Sequence, residues 1–248
     1  MKKMSLIVVS SLFFFISSNI VSAAYLDSWN NITTYDGYSE KSKNKWWKNK
    51  KEDQEVEPGA QTGQQWDIEG FFTDDSNNLA LVGGFDFANG ESWVKSGDIF
   101  IDTDDDTSYW EYVIKLDFDN GTYVNYKNDG TITYNETHSG PSITQGLTWS
   151  YSGGGVQISS NDMIYLTGMT NKEIGGKLKG GKHNLVKVDM SFLGGDVSFN
   201  VFNAMECGND IISGSGTTAA AVPEPISLFL LGFGILGFLG YKRRSNNG

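Results

Sequence analysis

The residues of this chain best suited to chemistry are clustered carboxylates. Asp102-Thr103-Asp104-Asp105-Asp106 sets oxygen donors at alternate positions, the kind of spacing from which hard Ca²⁺ ions collect ligands. It is not an EF-hand loop, because the sixth position is Thr107 where glycine is needed and the twelfth is Val113 in place of glutamate. In an extended strand Asp67 and Glu69 project from one face roughly 7 Å apart, and Asp98 and Asp102 do so at about twice that spacing. Two or more such pairs converging on one rim repel one another unless a cation sits between them. A plainer reading makes them solvated turn residues that keep the surface soluble; both readings stand on the sequence alone.

Other chemistry finds little material. The chain has two histidines, His138 and His183, and one cysteine, Cys207, so a His/Cys metal cluster is out of reach. No G-x-S-x-G nucleophile elbow occurs. Lone histidines in turn-rich segments read as polar surface residues. A glycosidase-type carboxylate pair is not excluded by counting, but abundant Asp and Glu give it no support. The expectation is a protein that is not an enzyme. With a single cysteine no intrachain disulfide can form, and Cys207 reads as a small buried apolar residue, against the alternatives of a reactive thiol or an intermolecular bridge. The formal charge is −11; without residues 1–23 and 222–248, which carry five basic residues and one acidic one, it deepens to −15. Such a body repels nucleic acid and anionic lipid and attracts divalent cations.

The elements that must position these carboxylates are strands. Trp66–Phe72 alternates, and in Glu111–Phe118 the residues Tyr112, Ile114, Leu116 and Phe118 share one face, with Lys115 and Asp117 on the other. Asp119-Asn120-Gly121 is a hairpin turn, since Asn and Gly tolerate positive φ. Thr122–Tyr126, the turn Asn128-Asp129-Gly130 and Thr131–Tyr134 extend this into an expected three-stranded meander. Further strands are expected at 79–85, 98–102, 148–151, 163–167, 185–190 and 197–202. Many short strands, frequent turns and no long helical period indicate a mainly β, antiparallel sandwich or jelly-roll-like domain over 66–212. Within the preceding arm, 24–65, six lysines surround Trp46-Trp47 and an acidic run, Glu52 to Glu57, follows. Either the tryptophans pack on the sandwich while the lysines pair with its acidic surface, or the segment grips an anionic polysaccharide; the net charge speaks against nucleic acid. Residues 213–221, all small, read as a spacer.

Both ends carry targeting features. Lys2-Lys3, the apolar stretch Leu6–Ile16 and Val21-Ser22-Ala23-Ala24 form a secretory signal peptide, 1–23, cleaved after Ala23 or, alternatively, Ala24. At the other end Pro223-Glu224-Pro225 bars helix. The uncharged run 226–241 reaches about 24 Å as a helix, slightly short of a hydrocarbon core of roughly 30 Å. Lys242, Arg243 and Arg244 then hold the cytoplasmic side. Inside this run Gly232, Gly234 and Gly237 spell a dinucleotide-binding pattern, but with no preceding strand they read as small residues of a membrane helix.

This order, Pro-Glu-Pro, a short glycine-rich apolar helix and a basic cluster, resembles the sorting signal of PEP-CTERM proteins, the exosortase substrates of Gram-negative bacteria. The resemblance covers 222–248 and implies export, capture at the inner membrane by an exosortase-type processing enzyme, cleavage near Pro225, and release or attachment at the cell surface. An ordinary tail anchor is the competing reading. A second resemblance, of Trp66-Asp-Ile-Glu69, Gly97–Asp102 and Ala204–Asp210 to segments of exosortase-dependent passenger domains, in turn similar to carbohydrate-binding sandwiches, has a further implication. If the three segments meet, Glu69, Asp98, Asp102, Glu206 and Asp210 form one acidic, metal-holding cluster. The expected function is therefore a non-catalytic surface or extracellular-matrix protein. The alternative is a Ca²⁺-dependent module that binds extracellular polysaccharide, with Trp93, Trp110 or Trp149 stacking on sugar rings.

Overall fold

The computed structural model describes residues 23–35, 52–57, 59–104, 109–137 and 146–220. The expected signal peptide up to Ser22, the Lys/Trp segment through Lys51, Asp105, Asp106, His138, Pro223-Glu224-Pro225, the helix 226–241 and Lys242–Arg244 lie outside the described residues.

Strands dominate. In chain order they are β1 (Asn30–Asn31), β2 (Thr33–Thr34), β3 (Ile68–Thr73), β4 (Asn78–Gly83), β5 (Ile99–Asp102), β6 (Tyr112–Asp117), β7 (Thr122–Lys127), β8 (Thr133–Glu136), β9 (Thr148–Gly153), β10 (Val156–Asp162) and β11 (Ile164–Met169). After the short helix α1 (Asn171–Ile174) come β12 (His183–Asp189), β13 (Ser198–Ala204) and β14 (Ile211–Thr217). One sheet runs β1-β3-β4-β12-β11, a larger one β10-β7-β6-β5-β13-β14-β2, and β8-β9 stands apart as a hairpin. Every pairing is antiparallel.

The two sheets share one apolar core. Phe71, Leu79, Leu81, Val186 and Val188 enter it from the five-stranded sheet, and Ile99, Ile101, Ile114, Tyr123, Phe199 and Val201 from the seven-stranded one. Burial of so much apolar surface is the main force holding the sheets together. The five-stranded sheet is covered on its other face as well, where Phe72, Ala80, Val82 and Leu185 meet Leu26, Ile174 and Leu178. That is why β3 and β4 read as continuous buried runs rather than alternating ones. The outer face of the seven-stranded sheet is covered by the β8-β9 hairpin. Phe100 packs edge-on to Tyr134 at 5.7 Å, and Tyr126 stacks on Tyr151 at 4.5 Å.

At one side the sheets are stitched together. The chain changes sheet across Ile32, between β1 and β2. Ile32 donates to the Phe71 carbonyl of one sheet at 3.0 Å and accepts from Ser215 of the other at 2.9 Å. The Thr33 hydroxyl accepts from the Phe71 amide at 2.9 Å.

Several expectations are met. The β6-β7 hairpin turns at Gly121, φ 66°. Tyr112, Ile114, Leu116 and Phe118 face the core while Lys115 is exposed, its ammonium 5.9 Å from the Tyr151 ring centroid. Cys207 is buried. Others are corrected. The third strand of the meander is β10, not the segment at 131–134, which leaves the sheet as β8 to pair with β9. Five of the nine residues expected to form a spacer, 213–217, are instead strand: β14 lies between β13 and β2. Its small residues are there for packing, since a Cβ on Gly214 would stand 3.0 Å from the Val201 side chain and 3.3 Å from Phe71. Nor does folded structure begin at Trp66, because β1, β2 and the buried Glu52–Glu57 stretch belong to the same body.

Candidate functional site

The carboxylate site is assembled from three stretches. Asp67 and Glu69 flank Ile68 at the start of β3. The register slips there, with Ile68 opposite Gly83 and Gly70 opposite Val82, which leaves Glu69 as the extra residue of a bulge. The bulge keeps Ile68 and Phe71 both in the core and sends Asp67 and Glu69 to the opposite side. There the acidic run from Glu52 folds over them. Gln54, with φ 71°, turns that run inward. Its amide N–H and side-chain Nε2 both donate to Asp67 Oδ2, at 3.1 and 3.2 Å, and Nε2 also reaches Gln64 Oε1 at 2.7 Å. A non-glycine residue held in this conformation marks a segment fixed by its surroundings.

Two carboxylate groups result. Ligand oxygens of Asp53, Asp67 and Glu69 lie within 4.8 Å of one another, and so do those of Glu55, Glu57 and Asp210. Asp210 accepts from the Ile68 amide between them. Asp67, Glu69, Glu55, Glu57 and Asp210 are all buried. Burial raises the Asp67 carboxyl well above the usual carboxylate range, and the charges of Glu69 and Asp53 add to it. Burial likewise raises Asp210, helped by Asp67, and it raises Glu69 against the opposing hydrogen bond from Gln64.

Glu69 is held on both oxygens. Gln64 Nε2 donates to Oε1 at 2.5 Å, and Oε2 lies 2.6 Å from His183 Nδ1. His183 Nε2 faces Asn171 Oδ1 at 2.8 Å, and that oxygen also accepts from the Gly181 amide. Asn171 Oδ1 is thus fixed as an acceptor, so Nε2 carries a proton and one further proton is shared between Nδ1 and Glu69. Burial lowers the imidazole pKa while raising that of Glu69. His183, read from sequence as a surface residue, is instead fully buried, with 0% of its surface exposed. Asp53 and Glu69 line a cleft of about 480 Å³ together with Trp29, Tyr35 and Lys177. A smaller cavity of about 220 Å³ meets Asp67 from the side of Glu55, Gly63 and Gln64.

The five carboxylates expected to converge are parted. Glu69 stands in the first group and Asp210 in the second, while Asp102 joins Asp104 and Glu111 in a third. Asp98 serves the backbone, accepting from Leu116 and Tyr151 amides, each at 2.8 Å. Glu206 accepts from the Lys95 amide at 3.2 Å. Asp98 and Asp102 are kept apart because they sit four residues apart on one extended strand. The sequence reading missed Asp53, Glu55 and Glu57 because they lie in an acidic run that looks solvated. Among the tryptophans, Trp93 is 59% exposed, Trp110 is half-buried against Phe202 with ring centroids 5.5 Å apart, and Trp149 is half-buried in β9. Chemically, the first two groups can hold a hard cation or retain protons; the third stands beside the segment 105–108.

Among the described residues no helix is long and apolar enough to cross a membrane. The family model of the PEP-CTERM protein-sorting motif matches residues 221–244. No curated protein and no solved structure matches the chain. The motif implies export, sorting to the cell surface by way of the membrane, and processing by an exosortase-type enzyme.

Proposed function

We propose that this PEP-CTERM-tagged chain is a non-catalytic protein of the cell surface or extracellular matrix. A signal peptide, 1–23, exports it. The tail, with its apolar helix 226–241, holds it at the inner membrane until an exosortase-type enzyme cuts near Pro225. A β-sandwich is what reaches the outside. The observation that carries this reading is the position of the motif: β14 ends at Thr217, Thr218 is still buried, and the match begins at residue 221. A cut near Pro225 therefore releases the folded body almost whole.

The test is fractionation of a host that has an exosortase. The wild-type chain is expected at the surface in a shortened form. Replacing Pro223 and Pro225 by alanine, or deleting 221–248, should abolish shortening. Full-length chain retained in the inner membrane of that host would overturn the proposal in favour of a tail anchor.

A second reading, a Ca²⁺-dependent module for extracellular polysaccharide, is favoured by the cleft in which Trp29 and Tyr35 stand beside Asp53 and Glu69. Aromatic rings next to polar groups suit sugar faces and hydroxyls. Trp110 contributes less, because its ring is spent on Phe202 and Phe100. Calorimetry with a polysaccharide panel, with and without Ca²⁺, tests it; heat that Trp29→Ala removes would support the module, and none would leave the structural role.

A further inference from the structure

We infer that Asp53, Asp67 and Glu69 bind one divalent cation of calcium's size, between the 480 Å³ cleft that Asp53 and Glu69 line and the 220 Å³ cavity that Asp67 lines. This rests on the geometry of the folded body and not on how the chain is sorted.

The spacing of the oxygens suits Ca²⁺. Two oxygens each about 2.4 Å from a shared Ca²⁺ stand at most about 4.8 Å apart, and the ligand oxygens of the three residues all lie within 4.8 Å of one another. Mg²⁺ sheds its waters reluctantly and is usually held by one or two carboxylates, so a set of three suits it less well.

One buried oxygen of the group is an orphan. Asp67 is 2% exposed, its Oδ2 is taken by Gln54, and its Oδ1 is buried with no hydrogen-bond partner. Buried carboxylate oxygens are nearly always bonded, and leaving one bare is costly. A cation shared with Asp53 and Glu69 supplies what Oδ1 lacks.

The surroundings suit an ion as well. Gln64 and His183 orient Glu69 from outside, and Asn171 in turn orients His183, the arrangement that supporting residues take around metal ligands. Glu55, Glu57 and Asp210 form a second carboxylate group, which Asp210 links to the first through the Ile68 amide. The cleft gives an entry path on the side of Asp53 and Glu69, and water from it can complete the six to eight oxygens that Ca²⁺ takes.

The experiment uses the full chain, purified in detergent micelles and stripped with a chelator. Calorimetry with CaCl₂ should give one saturable site, with a Kd on the order of 10⁻³ M or tighter. The thermal midpoint should rise by roughly 5–10 °C at a hundredfold excess over Kd, and Mg²⁺ at equal concentration should compete weakly. Glu69→Gln keeps the shape of the side chain and should weaken binding at least about tenfold. Asp67→Asn should do the same, with circular dichroism checking the fold of both. Tb³⁺ bound to the unaltered chain should show emission sensitised by tryptophan, displaced by Ca²⁺, which keeps the test valid if a variant fails to fold. Glu111→Gln, in the separate Asp102–Asp104–Glu111 group, should leave the affinity unchanged. The inference is overturned by the absence of saturable heat up to about 10 mM Ca²⁺, well above the range of extracellular sites, or of displaceable Tb³⁺ emission. Binding that survives Glu69→Gln but is lost with Glu111→Gln overturns it too.

Discussion

Asp98 makes the stability of the folded body fall as pH rises from about 4 to 7. Its carboxylate is buried and ties two elements together, Oδ1 accepting from Leu116 in β6 and Oδ2 from Tyr151 in β9. Burial raises its pKa to about 6, from 3.8, even though the two amides and the charge of Lys115 pull the other way. The sign follows from proton counting. Between the two values the folded state holds a proton that the unfolded state has lost, so unfolding releases one and stability falls with rising pH. A shift of about two units at 1.36 kcal/mol each gives a loss of about 3 kcal/mol, complete above about pH 7. Asp98→Asn has the shape of the protonated acid and cannot ionise. The stability of wild type minus that of the variant should therefore drop by about 2.5 kcal/mol from pH 4 to pH 7, whatever its starting value. Urea unfolding of the fragment 24–220, followed by tryptophan fluorescence at several pH values, measures it. A difference that stays level across that range would refute the reasoning.

Two other substitutions and one reagent probe the fold. Gly97→Ala should destabilise the fragment by about 2–4 kcal/mol in urea, because its Cβ would lie 2.2 Å from the Trp149 carbonyl oxygen and 2.3 Å from that of Ala204. Cys207 is buried and burial raises its thiol pKa, so a disulfide reagent should modify it at least about a hundredfold more slowly in native protein than in urea. Phe71→Ala, at the centre of the shared core, should cost about 3–5 kcal/mol by the same urea assay.

The strands most legible in the sequence are those with one wet face, such as β6, where alternation survives because Lys115 is exposed opposite Ile114. β14 was hidden because its glycines and serines carry no hydrophobic signal; they are small to let β13 and β3 approach. β10 was hidden because it is a largely exposed edge strand written in polar residues. The carboxylate group was legible in part, as Asp67 and Glu69, since alternate carboxylates in a strand share a face. Their partners were not, because Glu52–Glu57 looks like a solvated run and is buried only once Gln54 turns it onto β3. His183 shows the same limit: a single histidine gives no pattern, and Glu69 lies 114 residues away.

Whether a folded passenger is delivered by a removable tail is decided by the intact mass of the protein recovered from the surface of an exosortase-containing host. The predicted result is a species well below the 27.3 kDa of the whole chain, beginning at Ala24 and ending near Pro225. A species that retains residues 226–248 would contradict it.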